Sequence, residues 1–158
     1  MFDDDDYDDD FKSFDEITKY PIYMKASEIL DTVMEITDLI PDDDSHLSEV
    51  KRFLLEDAMI IPAKIVGAEG VGFYDIKMEN AAIIRKCARD LMVHYHSLKM
   101  FGFEHAEYYM MVREQIEELR LLFIDWVAGF DPWNYVVDDW GLFNPPGVGP
   151  FDKDPLDL

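Results

Sequence analysis

The sequence predicts an all-α fold, an antiparallel up-down-up-down four-helix bundle with acidic, largely irregular N- and C-terminal tails. Four stretches carry apolar residues spaced alternately three and four apart, turn-forming residues separate them, and no stretch alternates steadily between apolar and polar residues. Apolar residues at that spacing lie on one face of a helix. Because the predicted connections are short, neighbouring helices are expected to be antiparallel.

The first two apolar stripes precede residue 70. They consist of Ile22, Ala26, Ile29, Val33, Ile36 and Ile40, and then of Val50, Leu54, Ala58, Ile61, Ile65 and Ala68. Pro41 and the acidic run that follows it end the first helix and offer N-caps for the second. Pro62 lies inside the second stripe, where a proline costs about 3 kcal/mol. Since the stripe continues in phase beyond it, we expect a kink there and not a break.

The other two stripes follow residue 80. They consist of Ala81, Ile84, Ala88, Leu91, Tyr95 and Leu98, and then of Tyr109, Val112, Ile116, Leu119, Phe123, Trp126 and Phe130. Glycines are expected at the helix ends. Gly67, Gly70 and Gly72 are expected to end the second helix, Gly102 the third and Gly129 the fourth.

Charge divides the chain into a central bundle, residues 20–130, and two acidic tails, residues 1–19 and 131–158. The chain of 158 residues has a formal charge of −21, and residues 1–16 alone hold nine acids and one lysine. Such a run of like charges repels itself, so we expect the N-terminal tail to be disordered. The hydrophobic content of 49% is sufficient for one domain core.

The expected location is cytoplasmic, without contact with a membrane. No stretch is long and apolar enough to span a bilayer, and the acidic N-terminus lacks the apolar segment of a signal peptide. The single cysteine, Cys87, excludes an internal disulfide. It lies beside the third stripe, where a buried, inert thiol is expected.

The sequence contains no recognisable catalytic or metal-binding pattern, so we expect no enzymatic activity, no cofactor and no metal site. No Glu is followed three residues later by His, as the di-iron bundles require. His94 and His96 are two residues apart and point to different helix faces. Phosphate-binding glycine loops, dinucleotide fingerprints and a serine nucleophile elbow are missing. The N-terminal aspartate run lacks the glycine and the closing glutamate of a calcium loop.

Direct binding to nucleic acid is not expected. The densest group of cations is Arg85, Lys86 and Arg89 in the third helix, with Lys99 further along. A net charge of −21 opposes an encounter with DNA or RNA at long range. We therefore expect these cations to pair with acids of the same or of a neighbouring subunit.

Apolar residues outside the main stripes predict a homo-oligomer. Helices that are apolar on more than one face bury more than one face. The second and fourth helices are expected to contribute most to the subunit interface, through Leu55, Met59, Met111, Leu122 and Ile124. The alternative is a bundle wide enough to bury these residues itself.

The C-terminal tail contains an acidic–aromatic stretch typical of a linear binding motif. Its candidate partner-binding residues are Asp138, Asp139, Trp140, Leu142 and Phe143. An oligomer would display several copies of this stretch, and multivalency would raise a weak affinity. The expected partner is a basic protein. The alternative is that the stretch packs onto its own bundle.

Residues 61–70, IPAKIVGAEG, resemble the "PANIAEG" segment of the four-helix-bundle proteins encoded in 23S rRNA intervening sequences. Lys64 replaces the asparagine of that family, and Val66-Gly67 resembles an insertion before Ala68-Glu69-Gly70. The first helix near Tyr23 and the acidic turn after it are also similar. Asn80-Ala81 is similar to the start of the family's third helix, so the resemblance covers roughly residues 20–130.

The resemblance implies an antiparallel four-helix bundle that assembles as a ring-like homopentamer without known enzymatic activity. A relative of that family, the accessory variability protein of diversity-generating retroelements, is basic and binds nucleic acid and a reverse transcriptase. Two function classes follow: an oligomeric scaffold or adaptor that displays its tails, and a nucleic-acid-associated accessory protein. An acidic mimic of DNA is a third, and it would need aspartates held at phosphate-like spacing.

Overall fold

The computed structural model describes residues 12–155 and shows an all-helical chain, with no β-strand in that range. The prediction of an all-α fold is therefore confirmed. Four helices are long, namely α2 (Pro21–Thr37), α3 (Ser45–Glu69), α4 (Tyr74–Met100) and α5 (Met110–Ala128). They are accompanied by two single turns, α1 (Phe14–Ile17) and a 3-10 turn (Ala106–Tyr109).

Each long helix packs against two others. α2 contacts α3 and α5, and α4 contacts the same two helices from the other side. The contacts thus close a ring in which α3 and α5 occupy opposite corners. Packing is most extensive between α3 and α4 and least extensive between α4 and α5. The α4–α5 seam is therefore the place where the packed ring is most open.

The four predicted stripes face the common core. Every member is buried except Ala88, Phe123 and Trp126, which keep part of their surface accessible. Tyr109 is fully buried, and its hydroxyl donates a hydrogen bond of 2.6 Å to the Leu91 carbonyl oxygen. This bond satisfies the one polar atom of a side chain that otherwise fills the core.

Specific side chains fix the helix ends. The Asp44 carboxylate caps α3 by accepting hydrogen bonds from the backbone N–H groups of His46 and Leu47, both at 3.0 Å. Gly102 follows α4 with a φ of +74°, a conformation that costs a glycine little. The Phe103 N–H then donates to the Leu98 carbonyl at 2.9 Å, which satisfies a carbonyl at the end of α4.

Three helix boundaries differ from the sequence prediction. α2 ends at Thr37, before the predicted end at Pro41. Gly67 lies inside α3, which ends at Glu69 after passing unbroken through Pro62. A Cβ at Gly67 would lie 3.2 Å from Asn80 Oδ1, so the glycine allows α3 and α4 to approach closely. α4 begins at Tyr74, six residues before the expected start at Asn80. Asn80 lies within the helix and donates its amide hydrogen to the Ile76 carbonyl, so it is not a cap.

The N-terminal tail was predicted to include residues 1–19, but its last part is folded. Within it, α1 is capped by Ser13, whose hydroxyl accepts a hydrogen bond from the Glu16 N–H at 3.3 Å. Ile17 is 1% exposed and belongs to the core, so residues 12–19 are part of the folded unit. The predicted disorder of residues 1–11 lies outside the described residues.

A buried carboxylate ties the N-terminal segment to α3 and α5. Glu69 is 7% exposed and accepts hydrogen bonds from Lys12 Nζ at 2.8 Å and from Trp126 Nε1 at 2.6 Å. Burial opposes ionisation of this carboxyl. The hydrogen bonds from Lys12 and Trp126 outweigh that effect and hold the pKa of Glu69 below its ordinary value.

We expect Glu69→Ala to lower the free energy of unfolding by about 1–3 kcal/mol, because it leaves the indole N–H of Trp126 without an acceptor. Glu69→Gln should cost less, since the amide oxygen still accepts that bond. Urea unfolding measures both. The matched control is Glu56→Ala, which breaks the exposed pair with Arg52 and should cost about 0.5 kcal/mol or less. Equal losses for Glu69→Ala and Glu56→Ala would contradict the proposed anchor.

The same carboxylate should make stability depend on pH. The lowered pKa means that its contribution is fully present above the ordinary value of 4.5 and is lost as the pH falls through the folded-state value. The stability difference between wild type and Glu69→Gln should therefore shrink in acid. A difference that stays constant from pH 7 to pH 3 would argue against an ionised Glu69.

Candidate functional site

An apolar groove of about 550 Å³ lies along the α4–α5 seam. Ile84, Ala88 and Met92 line it from α4, and Ile116, Leu119 and Phe123 line it from α5. Ala88 contributes only a methyl group at a position where the neighbouring stripe members are larger. The groove thus exists where the helix pair with the least contact also carries a small residue.

The rim of this groove is basic. Arg85 and Arg89 border it from α4, and Arg120 borders it from α5 beside Glu117. Arg120 Nε pairs with Glu117 Oε2 at 3.0 Å, whereas Arg85 and Arg89 are exposed and form no ion pair with any residue in the range 12–155. The rim is therefore a local positive surface on a protein with a net charge of −21.

The expectation that the third-helix cations pair with acids is met by two of the four, Lys86 and Lys99, within the described part of the chain. Lys99 Nζ lies 3.7 Å from Glu107 Oε1. Lys86 Nζ lies 2.7 Å from Asp90 Oδ2, one turn further along α4. Both side chains are exposed, so this pair contributes little to stability. Arg85 and Arg89 remain available to a ligand that approaches the groove.

The C-terminal tail is attached to the α3–α4 connection. Asn134 Nδ2 donates to the Gly72 carbonyl at 2.8 Å, and the Tyr74 N–H donates to the Asn134 carbonyl at 2.8 Å. Phe130 is buried, and its ring packs edge-on against Trp126 with centroids 4.8 Å apart. These contacts fix the root of the tail at the end of the molecule where α4 begins.

Beyond this root, Asp138 organises an ordered loop without helix or strand. Its carboxylate accepts hydrogen bonds from the backbone N–H groups of Trp140 at 3.0 Å and of Leu142 and Phe143, each at 2.8 Å. The bond from Phe143, with those from Leu142 and Trp140, holds the pKa of Asp138 below its ordinary value. Asn144 Nδ2 closes the loop by donating to the Asp138 carbonyl at 3.0 Å.

The C-terminal tail leaves large apolar side chains in solvent, two of them on this loop. Trp140 is 94% exposed, Leu142 72% and Phe151 98%. Gly141, between the first two, has a φ of +71°, which a residue with a side chain rarely adopts. Trp140 and Leu142 thus lie on a turn of defined geometry.

The five predicted tail residues have different roles. Asp139, Trp140 and Leu142 are exposed, whereas Phe143 is partly buried and the Asp138 carboxylate is occupied by its own loop. Asp138 is therefore a residue that shapes the loop. Phe151 is exposed on the same tail and was not among the predicted site residues. Phe151 lies outside the acidic–aromatic stretch, so that motif did not indicate it.

The five predicted interface residues differ in exposure. Leu55 and Leu122 pack partly against the core, whereas Met59, Met111 and Ile124 are 59%, 47% and 51% exposed. α3 and α5, which carry these residues, lie at opposite corners. Ile124 in addition lines the α4–α5 groove.

A partly buried polar cluster between α3 and α4 holds Cys87, which is itself buried. Burial and the nearby Asp57 raise the pKa of the Cys87 thiol to about 12, and burial also raises the pKa of Asp57. His94 Nε2 lies 3.9 Å from Asp57 Oδ2. A thiol with so high a pKa stays protonated at neutral pH and is a poor nucleophile.

Two further findings concern only residues 12–155. No three His, Cys, Asp or Glu side chains lie close enough together there to hold a metal ion. No helix in that range is both long enough and apolar enough to cross a bilayer.

No family model, no curated protein and no solved structure matches this chain. The resemblance of residues 61–70 to the intervening-sequence proteins therefore stays a prediction.

We expect Asp138→Ala to open the tail loop, because three backbone N–H groups lose their acceptor. Amide hydrogen exchange at Trp140, Leu142 and Phe143 should become faster by about tenfold or more. Hydrogen exchange followed by NMR measures this directly. The matched control is Asp139→Ala, which removes the neighbouring exposed carboxylate. Equal exchange rates in the two variants would show that Asp138 does not organise the loop.

Proposed function

We propose that the protein is a non-enzymatic, self-associating scaffold or adaptor whose acidic–aromatic tail binds a basic protein surface. We further propose that its four long helices form an antiparallel up-down-up-down bundle. The ring of contacts from α2 through α3, α4 and α5 back to α2 supports this topology. Short connections, such as residues 70–73 between α3 and α4, support it as well.

The observation that carries the proposal is the exposure of Trp140, Leu142 and Phe151 on an ordered tail. Large apolar side chains that a chain leaves in solvent, rimmed by polar residues, are typical of protein interaction sites. An ordered loop also loses less conformational entropy on binding than a flexible one.

The environment of the titratable groups supports a non-enzymatic role. Asp57, Cys87 and His94 lie between α3 and α4, and burial keeps the Cys87 thiol protonated. The α4–α5 groove has an apolar floor, and its rim consists of arginines and one paired glutamate. Such a groove favours binding over acid–base chemistry.

The exposed apolar residues of α3 and α5 support self-association. Met59 and Met111 lie on helices at opposite corners of the ring of contacts. Two different patches that meet in successive copies form a heterologous contact, which generates a ring or a filament. The homopentamer implied by the family resemblance is one such ring.

Native mass spectrometry of the full-length protein, with light scattering as a check, tests self-association. We expect a closed oligomer whose mass is a multiple of the 18.5 kDa chain, and the resemblance implies five copies. A different closed number would support the scaffold and contradict the family assignment. A monomer at all accessible concentrations would contradict the proposal.

Substitutions locate the contact. We expect Met59→Glu and Met111→Glu to weaken association by about tenfold or more, because each places a charge in an apolar interface. The matched control is Met34→Glu on α2, where the side chain is 49% exposed. Equal effects of all three substitutions would show that α3 and α5 have no special part in assembly.

A nucleic-acid-associated role is the second candidate, since Arg85, Lys86 and Arg89 form an exposed basic group on α4. Fluorescence anisotropy with labelled RNA and DNA, measured at about 50 and 200 mM salt, distinguishes the two candidates. Binding that weakens with salt and is lost in Arg85→Glu would support the accessory role. The scaffold proposal expects no binding even at the lower salt concentration.

A further inference from the structure

We propose that the partner of the acidic–aromatic tail is a second copy of this chain, whose α4–α5 groove receives Trp140 and Leu142. This inference rests on the proposed function and specifies it. The tail is the ligand, the groove is its receptor, and every copy carries both.

The apolar surfaces of the tail and the groove match in character and size. The groove has a floor of aliphatic and aromatic side chains, and at its edge Val93 and Ile124 are 61% and 51% exposed. Its volume of about 550 Å³ lies in the range of sites that enclose small ligands, so an indole and a leucine side chain fit within it. Trp140 and Leu142 are the apolar groups that the tail loop holds in solvent.

The charges of the two surfaces are complementary. Residues 131–158 hold six acids and one lysine, and Asp139 is exposed directly beside Trp140. The groove is bordered by three arginines and one glutamate, and that glutamate is already paired with Arg120. On a chain with a charge of −21, an acidic ligand meets repulsion over most of the surface and attraction at this rim.

The loop geometry favours docking between copies over docking within one chain. Hydrogen bonds of Asn134 hold the root of the tail on the α3–α4 connection, and Asp138 holds the loop in a conformation that leaves Trp140 94% exposed. The loop is therefore formed before it binds, which reduces the entropic cost of docking. Because tail and groove are different surfaces, their contact is heterologous and joins each copy to two others.

Two variants separate the tail from the groove. Trp140→Ala removes the apolar group that enters the groove, and Val93→Glu places an acid on the groove's exposed edge. We expect each to weaken self-association by about tenfold or more, as measured by native mass spectrometry and sedimentation. Met24→Glu, on the 60% exposed Met24 of α2, is the matched control and should leave association unchanged. Circular dichroism verifies that each variant folds. Arg89→Glu, at the exposed Arg89 of the groove rim, is a second groove variant.

Mixing the two variants tests the contact itself. The Val93→Glu chain keeps an intact tail, and the Trp140→Ala chain keeps an intact groove. A mixture should therefore form a pair of chains, one of each variant, that associates more tightly than either variant does with itself. This pair should gain no further tail–groove contact, because its remaining tail and groove are both altered.

The other outcomes overturn the inference in distinguishable ways. Variants that both retain the wild-type oligomer would overturn it and leave self-association to the surfaces of α3 and α5. Variants that dissociate but form no mixed species would show that Trp140 and Val93 do not meet. A wild-type protein that stays monomeric would overturn the proposed function together with this inference.

Discussion

Burial of four apolar stripes against one another is the constraint on which the rest of the structure depends. Each long helix satisfies it by contacting two neighbours, so that the stripes meet in one core. The α4–α5 pair buries its stripes least completely, because Ala88 is small and Phe123 remains partly accessible. The groove is therefore a consequence of how the core closes, and its apolar floor is the outer edge of that core.

The helical periodicity predicted the core well, because a stripe is a local property of the sequence. The helix boundaries were less predictable, since they depend on contacts that are distant in sequence. Gly67 serves the approach of Asn80 across the α3–α4 pair, and Asn80 bonds inside its own helix. Glu69 lies in the segment 61–70, but nothing in that segment indicates its partners. These are Lys12, 57 residues before it, and Trp126, 57 residues after it.

The candidate site was predictable in composition and unpredictable in geometry. The acidic–aromatic stretch identified the tail, but an aspartate that caps its own loop looks the same in sequence as one exposed to a partner. Asp138 is of the first kind and Asp139 of the second. The groove had no signal of its own, because its floor consists mostly of stripe residues and its rim of scattered arginines. Only the packing of α4 against α5 brings Arg89 and Arg120 to one opening.

Charge and apolar contact have separate roles in the proposed assembly. A net charge of −21 makes random contact between copies unfavourable, and salt near 0.15 M screens this repulsion beyond about 8 Å. At shorter range, whether a tail binds depends on the charge and the apolar character of the surface that it meets. The arginine rim selects the groove over the acidic remainder of the surface, and insertion of Trp140 supplies the apolar contact that sustains binding. Without that rim, the acidic tail would meet repulsion at the groove as it does over most of the surface of a second copy.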